Sequence, residues 1–188
     1  MDARIIKTKK RIKDTLLFIL QNKKLHEVSI SEICKRAKIN RNTFYAHFAT
    51  PEAVLDEIAE EYLAEEYLLL NSCSTSKEAV ITACKYTKQH AQTNAVLLEN
   101  LSTKTFVDRG VNYSVDSPIY IIDNNGIYTS EEIEMIHTYI VNGAVAIIKE
   151  WIYSGMKESP EEIGEKIDYI TTCLIAGINR NNLSDYQK

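Results

Sequence analysis

Five polar side chains fall within seven consecutive residues, at Arg41, Asn42, Thr43, Tyr45 and His47. Side chains of these types bind base edges and phosphates when a helix enters the major groove of DNA. That groove is about 12 Å wide and admits a single helix, so the inserted surface must be polar and small. The cluster therefore predicts a helix that contacts DNA.

Two short helices are predicted to position this cluster. Apolar spacing predicts one helix over residues 30–37 and a second over residues 41–47, joined by a three-residue turn. Ser29 and Glu32 have the spacing of a capping box at the start of the first helix, and Asn40 can cap the second. In a helix-turn-helix, the second helix inserts into the major groove with its N-terminal residues facing the base edges. The sequence therefore predicts a helix-turn-helix at roughly residues 29–48.

Charge is divided unevenly along the chain. Residues 1–50 hold twelve Lys or Arg and four Asp or Glu, whereas residues 51–188 hold ten basic and twenty-two acidic residues. The net charge is thus +8 for the first part and −12 for the second, within a total of −4. A basic head on an acidic body indicates a polyanionic partner for the head. Taken alone, the charge also fits a solvated, lysine-rich helix face.

Helical periodicity dominates the chain, and strand-like alternation is nearly absent. With 188 residues, 45% of them apolar, the chain can bury a sizeable core. We expect an all-α protein of about nine helices, with a three-helix DNA-binding domain over residues 1–50 and a helical regulatory and dimerisation domain over residues 51–188. No element is assigned in residues 102–129, where Gly, Pro and Asn interrupt the period. The other predicted helices cover about residues 4–22, 51–70, 76–93, 94–101, 130–154 and 160–179.

Metal, disulfide and membrane patterns do not stand out in the sequence. The four cysteines, Cys34, Cys73, Cys84 and Cys173, are scattered, which favours reduced thiols. The longest apolar stretch, residues 140–152, contains polar residues and is too short to cross a bilayer. The basic N-terminal segment is unlike a secretory signal. We therefore expect a cytoplasmic protein with no cofactor, no metal and no membrane partner.

Aromatic and histidine side chains of the body are candidates for a ligand pocket, because such pockets combine apolar walls with few polar groups. Packing in an ordinary core is the alternative for each of them. The candidates are Tyr62, Tyr86, His90, Phe106, Tyr120 and His137.

A dimer interface is predicted near the end of the chain. Residues 140–152 are apolar almost all round, which implies burial on more than one side. Gly143, Ala144 and Ala146 would allow another helix to approach closely. With the apolar stripe of the last helix, this favours a four-helix interface built from residues 130–154 and 160–179 of each subunit. A core within one subunit is the alternative.

The stretch from Val28 to Phe48, with its Thr-Phe-Tyr-x-His-Phe core, resembles the DNA-binding region of the TetR repressor family. The flanking helices extend the resemblance over roughly residues 5–60. It implies a homodimer that binds a near-palindromic double-stranded DNA operator and is released by a small-molecule effector. The contacts that it implies are phosphates for Ser29 and Tyr45, bases for Arg41, Asn42 and Thr43, and the DNA backbone for His47.

Three other functions compete with this one. An all-α enzyme would need a nucleophile–base pair, clustered carboxylates or metal-spaced ligands, and none stands out, so we do not expect an enzyme. A protein-interaction adaptor would use the helix-turn-helix for protein contacts. A transcriptional activator would use the same head and differ in where its operator lies. The sequence identifies neither the effector nor the operator.

Overall fold

The computed structural model describes residues 3–101 and 128–180, and the regular structure in these ranges is entirely helical. This confirms the all-α class, with eight α-helices in the described ranges against about nine predicted for the chain. None of these helices is long and apolar enough to span a membrane. A 3₁₀ turn, Leu25–Glu27, lies between the first two α-helices. The α-helices are α1 (Ala3–Leu20), α2 (Ile30–Ala37), α3 (Arg41–Tyr45), α4 (Pro51–Leu70), α5 (Ser76–Gln89), α6 (Ala91–Asn100), α7 (Ser130–Tyr153) and α8 (Pro160–Arg180).

Side-chain caps set where several helices begin. Ser29 Oγ accepts the backbone N–H of Glu32 at 3.1 Å, as predicted for α2. The reciprocal half of that capping box is missing, because the Glu32 carboxylate pairs with Lys23 Nζ at 2.8 Å instead. Two other helices are capped by threonine side chains, α5 by Thr75 and α7 by Thr129.

The described residues divide into two compact units, and the first comprises residues 3–64 and 92–101. In this unit α1 packs on α2, and α2 packs on α3. Fully buried side chains come from each of these helices, among them Leu16, Ile33 and Phe44. Lys13 Nζ lies 2.5 Å from both Glu57 Oε1 and Glu61 Oε1, which fixes α1 to the first half of α4. Burial opposes ionisation of Glu57, but hydrogen bonds from the two nearby lysines outweigh it and lower the pKa of this carboxyl.

The second unit comprises residues 65–91 and 128–180, and its main contact is between α5 and α8. Gly164 of α8 lies so close to α5 that an added Cβ would be 2.9 Å from the Cα of Ile81. Trp151, which is 2% exposed, packs with Cys84 and Ile167 in the core of this unit, and its indole N–H donates to the carbonyl of Glu158 at 3.1 Å. Burying an aromatic side chain of this kind stabilises a fold by roughly 1.5–3 kcal/mol.

Candidate nucleic-acid interface

A tight turn joins α2 to α3. Lys38 adopts the left-handed conformation, with φ of 52°, and the next residue, Ile39, donates its backbone N–H to the carbonyl of Cys34 at 3.0 Å. Asn40 then begins α3, because its side-chain oxygen accepts the backbone N–H of Thr43 at 2.6 Å. A helix of five residues has few hydrogen bonds of its own, so this cap contributes much of its local stability.

Two aromatic residues hold α3 against the rest of the head. Phe44 is fully buried and Phe48 is 4% exposed, and their ring centroids lie 6.2 Å apart. The Lys9 ammonium lies 5.1 Å from the Phe48 ring centroid. Arg11 donates to the carbonyl of Ala37 at 3.3 Å, which ties α1 to the end of α2. The outer face of α3 is therefore presented from a packed base.

Arg41 and Tyr45 form a pair on that outer face. One guanidinium nitrogen of Arg41 donates to Tyr45 Oη at 3.2 Å, and another donates to Ser31 Oγ on α2 at 3.4 Å. The hydrogen bond with Tyr45 raises the pKa of Arg41 further above neutrality. Tyr45 is 50% exposed, and the Arg41 guanidinium lies 5.9 Å from the centroid of its ring.

The other four predicted DNA-binding residues differ in the exposure and the hydrogen bonds of their side chains. Thr43 is half-buried, and its hydroxyl donates to Asn40 Oδ1 at 2.9 Å. Ser29 is exposed and its oxygen caps α2, while His47 is half-buried. Asn42 is exposed, and its side chain makes no hydrogen bond with the described part of the chain. All six residues lie in the first compact unit, Ser29 at the start of α2 and the others along α3 or just after it.

Not all of the positive charge in the head is available to a partner. Four of its lysines, Lys9, Lys13, Lys23 and Lys24, form ion pairs with glutamates. Counting basic residues in the sequence therefore overstates the charge that faces solvent. Exposed basic side chains without an ion pair in the described ranges remain on α1, on α2 and in the turn after α2; they include Lys7, Lys10, Lys35 and Lys38.

The predicted ligand-pocket residues fall in different parts of the chain. Tyr62 lies in the first unit, where its hydroxyl accepts from the Asn94 side-chain amide at 2.8 Å. Tyr86 and His90 lie together in the second unit, with ring centroids 4.4 Å apart. The Tyr86 hydroxyl donates to Glu65 Oε2 at 3.0 Å.

Of the three remaining pocket candidates, the structure describes only His137. His137 on α7 is half-buried, and burial lowers its pKa. Phe106 and Tyr120 lie outside the described residues. Among the residues that are described, no group of three or more His, Cys, Asp or Glu could hold a metal ion.

Glu66 is a residue that sequence reasoning missed. It is half-buried on α4, and burial raises the pKa of its carboxyl to about 7. The signal was present in the spacing, because Glu66 follows the buried Tyr62 by four residues and therefore lies on the same face of the helix. Burial of this carboxyl makes Glu66 a candidate for a ligand-binding residue.

Comparisons with known proteins cover both parts of the chain. The family described as "Bacterial regulatory proteins, tetR family" matches residues 19–58, and the family described as "Transcriptional regulator C-terminal region" matches residues 74–173. An uncharacterized HTH-type transcriptional regulator of Bacillus subtilis (strain 168), YxbF, is 28% identical over 108 residues. That match covers 57% of this chain and 27% of YxbF, so the chain spans about a quarter of the length of this relative.

Solved structures share the fold at low sequence identity. A TetR transcriptional regulator from Streptococcus agalactiae 2603V has a TM-score of 0.71 at 18% identity, over 90% of this chain and 96% of the other. The fatty acid degradation regulator FadR from Bacillus halodurans has a TM-score of 0.61 at 16% identity, over 91% and 96% of the two chains. The dihydroxyacetone kinase operon activator DhaS has a TM-score of 0.55 at 23% identity, over 91% and 97%. These likenesses show the fold.

Proposed function

Because the chain belongs to the TetR family of transcriptional regulators, we propose that it is a homodimeric repressor that leaves its operator when a small molecule binds. Residues 1–50 bind the DNA, and residues 51–188 bind the effector and the second subunit. The observation that carries this proposal is the outer face of α3, where Arg41, Asn42 and Tyr45 are all exposed above the buried Phe44.

The DNA contacts are made by the six residues that the sequence suggested: Ser29, Arg41, Asn42, Thr43, Tyr45 and His47. Support comes from their grouping at the start of α2 and along α3, the two helices that lie across and in the groove in a helix-turn-helix. Exposed lysines of the head, such as Lys10 and Lys38, add attraction to the phosphates.

Exposed apolar side chains on α7 and α8 support the homodimer. Tyr139 is 70% exposed on α7, and Tyr169 is 71% exposed on α8. A methyl group added at Gly143 would meet no atom within 4 Å, so a partner helix could approach there. Ile163 and Ile167 of α8 pack inside the subunit, and the dimer face is therefore built from their exposed neighbours in residues 130–154 and 160–179. A two-fold dimer matches a near-palindromic operator.

The effector site is proposed near the aromatic and acidic side chains of the body. The stacked rings of Tyr86 and His90, with Glu65 hydrogen-bonded to Tyr86, combine apolar surface with polar groups in the manner of a ligand site. Ligand binding there would lower the affinity for DNA, and DNA would lower the affinity for the ligand by the same factor.

Selection of bound duplexes from a random DNA pool tests the proposed function. The full chain should enrich an inverted repeat at low salt, and a reporter gene with that repeat at its promoter should be expressed less when the protein is present. A protein that dimerises but enriches no sequence would refute the proposal and favour an adaptor. Higher reporter expression would contradict repression and indicate an activator.

A further inference from the structure

The outer surface of α3 consists of two stripes of side chains. Residues four apart on a helix lie on the same face, so Arg41 and Tyr45 form one stripe, and Asn42 and Ala46 form the next. Ala46 continues the helical conformation, with φ of −67° and ψ of −15°, and both Asn42 and Ala46 are exposed. The two stripes differ in what holds them.

The first stripe is bound to α2. Arg41 donates to Tyr45 Oη at 3.2 Å and to Ser31 Oγ at 3.4 Å, so its guanidinium is drawn towards the helix that crosses the DNA backbone in this type of domain. Tyr45 Oη accepts this hydrogen bond and keeps its own proton to donate. A guanidinium and two hydroxyls at one exposed point match the acceptors of a phosphate.

The side chains of the second stripe make no hydrogen bond with the described ranges. The Asn42 amide has no hydrogen-bond partner there, so its donor and acceptor are both available. Thr43, its neighbour, has its hydroxyl proton committed to Asn40 Oδ1 at 2.9 Å. Among the residues at the start of α3, Asn42 is therefore the one whose side chain offers both a free donor and a free acceptor to a base edge.

We propose that the Asn42–Ala46 stripe determines sequence preference, whereas Arg41, Tyr45 and Ser31 hold a phosphate. An asparagine amide pairs in two places with adenine, at N6 and N7, and a methyl group packs against the methyl of thymine. The stripe therefore recognises adenine through Asn42 and an adjacent thymine through Ala46. This assignment rests on the proposed DNA binding. It differs from the expected contacts in two ways: Arg41 binds the DNA backbone rather than a base, and Ser31 joins the interface.

Duplex selection with matched variants tests the assignment. Asn42→Ala should lose the preference for adenine at one position of each half-site, and each half-site of the wild-type repeat should contribute a loss of affinity of about 5- to 150-fold. Arg41→Ala and Ser31→Ala are the controls, and they should select the same repeat as the wild type while binding every duplex more weakly. For Arg41→Ala, the plot of log K against log salt should become less steep by about 0.9 for each subunit of the dimer, the value for one phosphate contact.

A modified base gives an independent measurement. Replacing the contacted adenine by 7-deazaadenine removes N7, so it should weaken the wild type and cause no further loss in Asn42→Ala. The assignment is overturned if Asn42→Ala keeps the wild-type preference, or if Arg41→Ala changes the selected sequence. Failure of the wild type to select any sequence would instead overturn the proposed function together with the assignment that rests on it.

Discussion

The side-chain oxygen of Asn100 accepts a 3.0 Å hydrogen bond from the backbone N–H of Leu25. Asn100 is the last residue of α6, and Leu25 begins the 3₁₀ turn that leads into α2. The Asn100 amide nitrogen also donates to the carbonyl of Val96 at 2.9 Å, which fixes the side chain on its own helix. The end of α6 is thereby attached to the segment that precedes the helix-turn-helix.

Asn100→Ala should loosen this segment. Leaving the Leu25 N–H without its partner should lower the free energy of unfolding by about 1–2 kcal/mol, and amide hydrogen exchange in residues 25–37 should become faster. Glu99→Gln is the control, because it alters only the neighbouring pair with Lys24, in which both side chains are about half exposed. Equal effects of the two variants would show that Asn100 does not hold the turn.

Asn40→Ala should weaken DNA binding through the stability of α3. Removal of the cap leaves the Thr43 N–H unsatisfied and should cost about 0.5–2 kcal/mol, measured by urea unfolding. Since α3 has five residues, part of this loss should appear as weaker binding to all duplexes. Asn40→Ser keeps a capping oxygen and should restore most of the stability. Wild-type stability in Asn40→Ala would mean that the cap is dispensable.

Gly164→Ala should force α5 and α8 apart. The new methyl would lie 2.7 Å from Ile81 Cγ1 and 2.9 Å from Ile81 Cα, and we expect a loss of about 1–3 kcal/mol in guanidinium unfolding. Ile81→Ala removes the nearest atom, so the double variant should lose less than the sum of the single variants. Additive losses would contradict the close approach.

Glu66→Gln should change how stability depends on pH. Burial raises the folded pKa of Glu66 to about 7, above its ordinary value of 4.5, so the folded state holds this proton more tightly than the unfolded state does. The stabilising contribution of Glu66 is therefore complete below about pH 4.5 and is lost as pH rises towards and through 7.

Thermal unfolding between pH 5 and pH 8 measures this difference. Relative to wild type, Glu66→Gln should gain more at pH 8 than at pH 5. Glu134→Gln, at an exposed position on α7, is the control and should follow the wild type at both pH values. A Glu66→Gln profile parallel to that of the wild type would argue against a Glu66 carboxyl whose pKa is raised by burial.

Helix bounds could be predicted where the sequence offers one capping residue. Pro51 permits α4 to begin only after Thr50, and the bounds of α4 match the prediction. The capping residue of α5 could not be predicted in the same way, because three hydroxyl residues, at positions 74–76, occur in a row. Thr75 caps the helix because its side-chain oxygen accepts the Glu78 N–H. The Glu78 carboxylate in turn accepts the Ser74 N–H at 2.8 Å.

The short helix that carries the proposed DNA contacts could be predicted from the sequence, but the hydrogen bonds of its individual side chains could not. Residue types and spacing placed Arg41, Asn42 and Tyr45 on one short helix. The bond between Arg41 and Ser31 joins two helices, and the pair of Glu32 with Lys23 replaces a local bond by an ionic one. Both interactions depend on how α1, α2 and α3 pack against one another. Residue spacing within a single helix does not predict such contacts between helices.

A footprint of the full chain on its selected duplex tests the central claim, that α3 of two subunits enters the major groove of one DNA molecule. We predict two protected major-groove patches on the same face of the duplex, about 34 Å or a multiple of it apart, which disappear when salt is raised. A single protected patch, protection confined to the minor groove, or no protection at low salt would contradict the account.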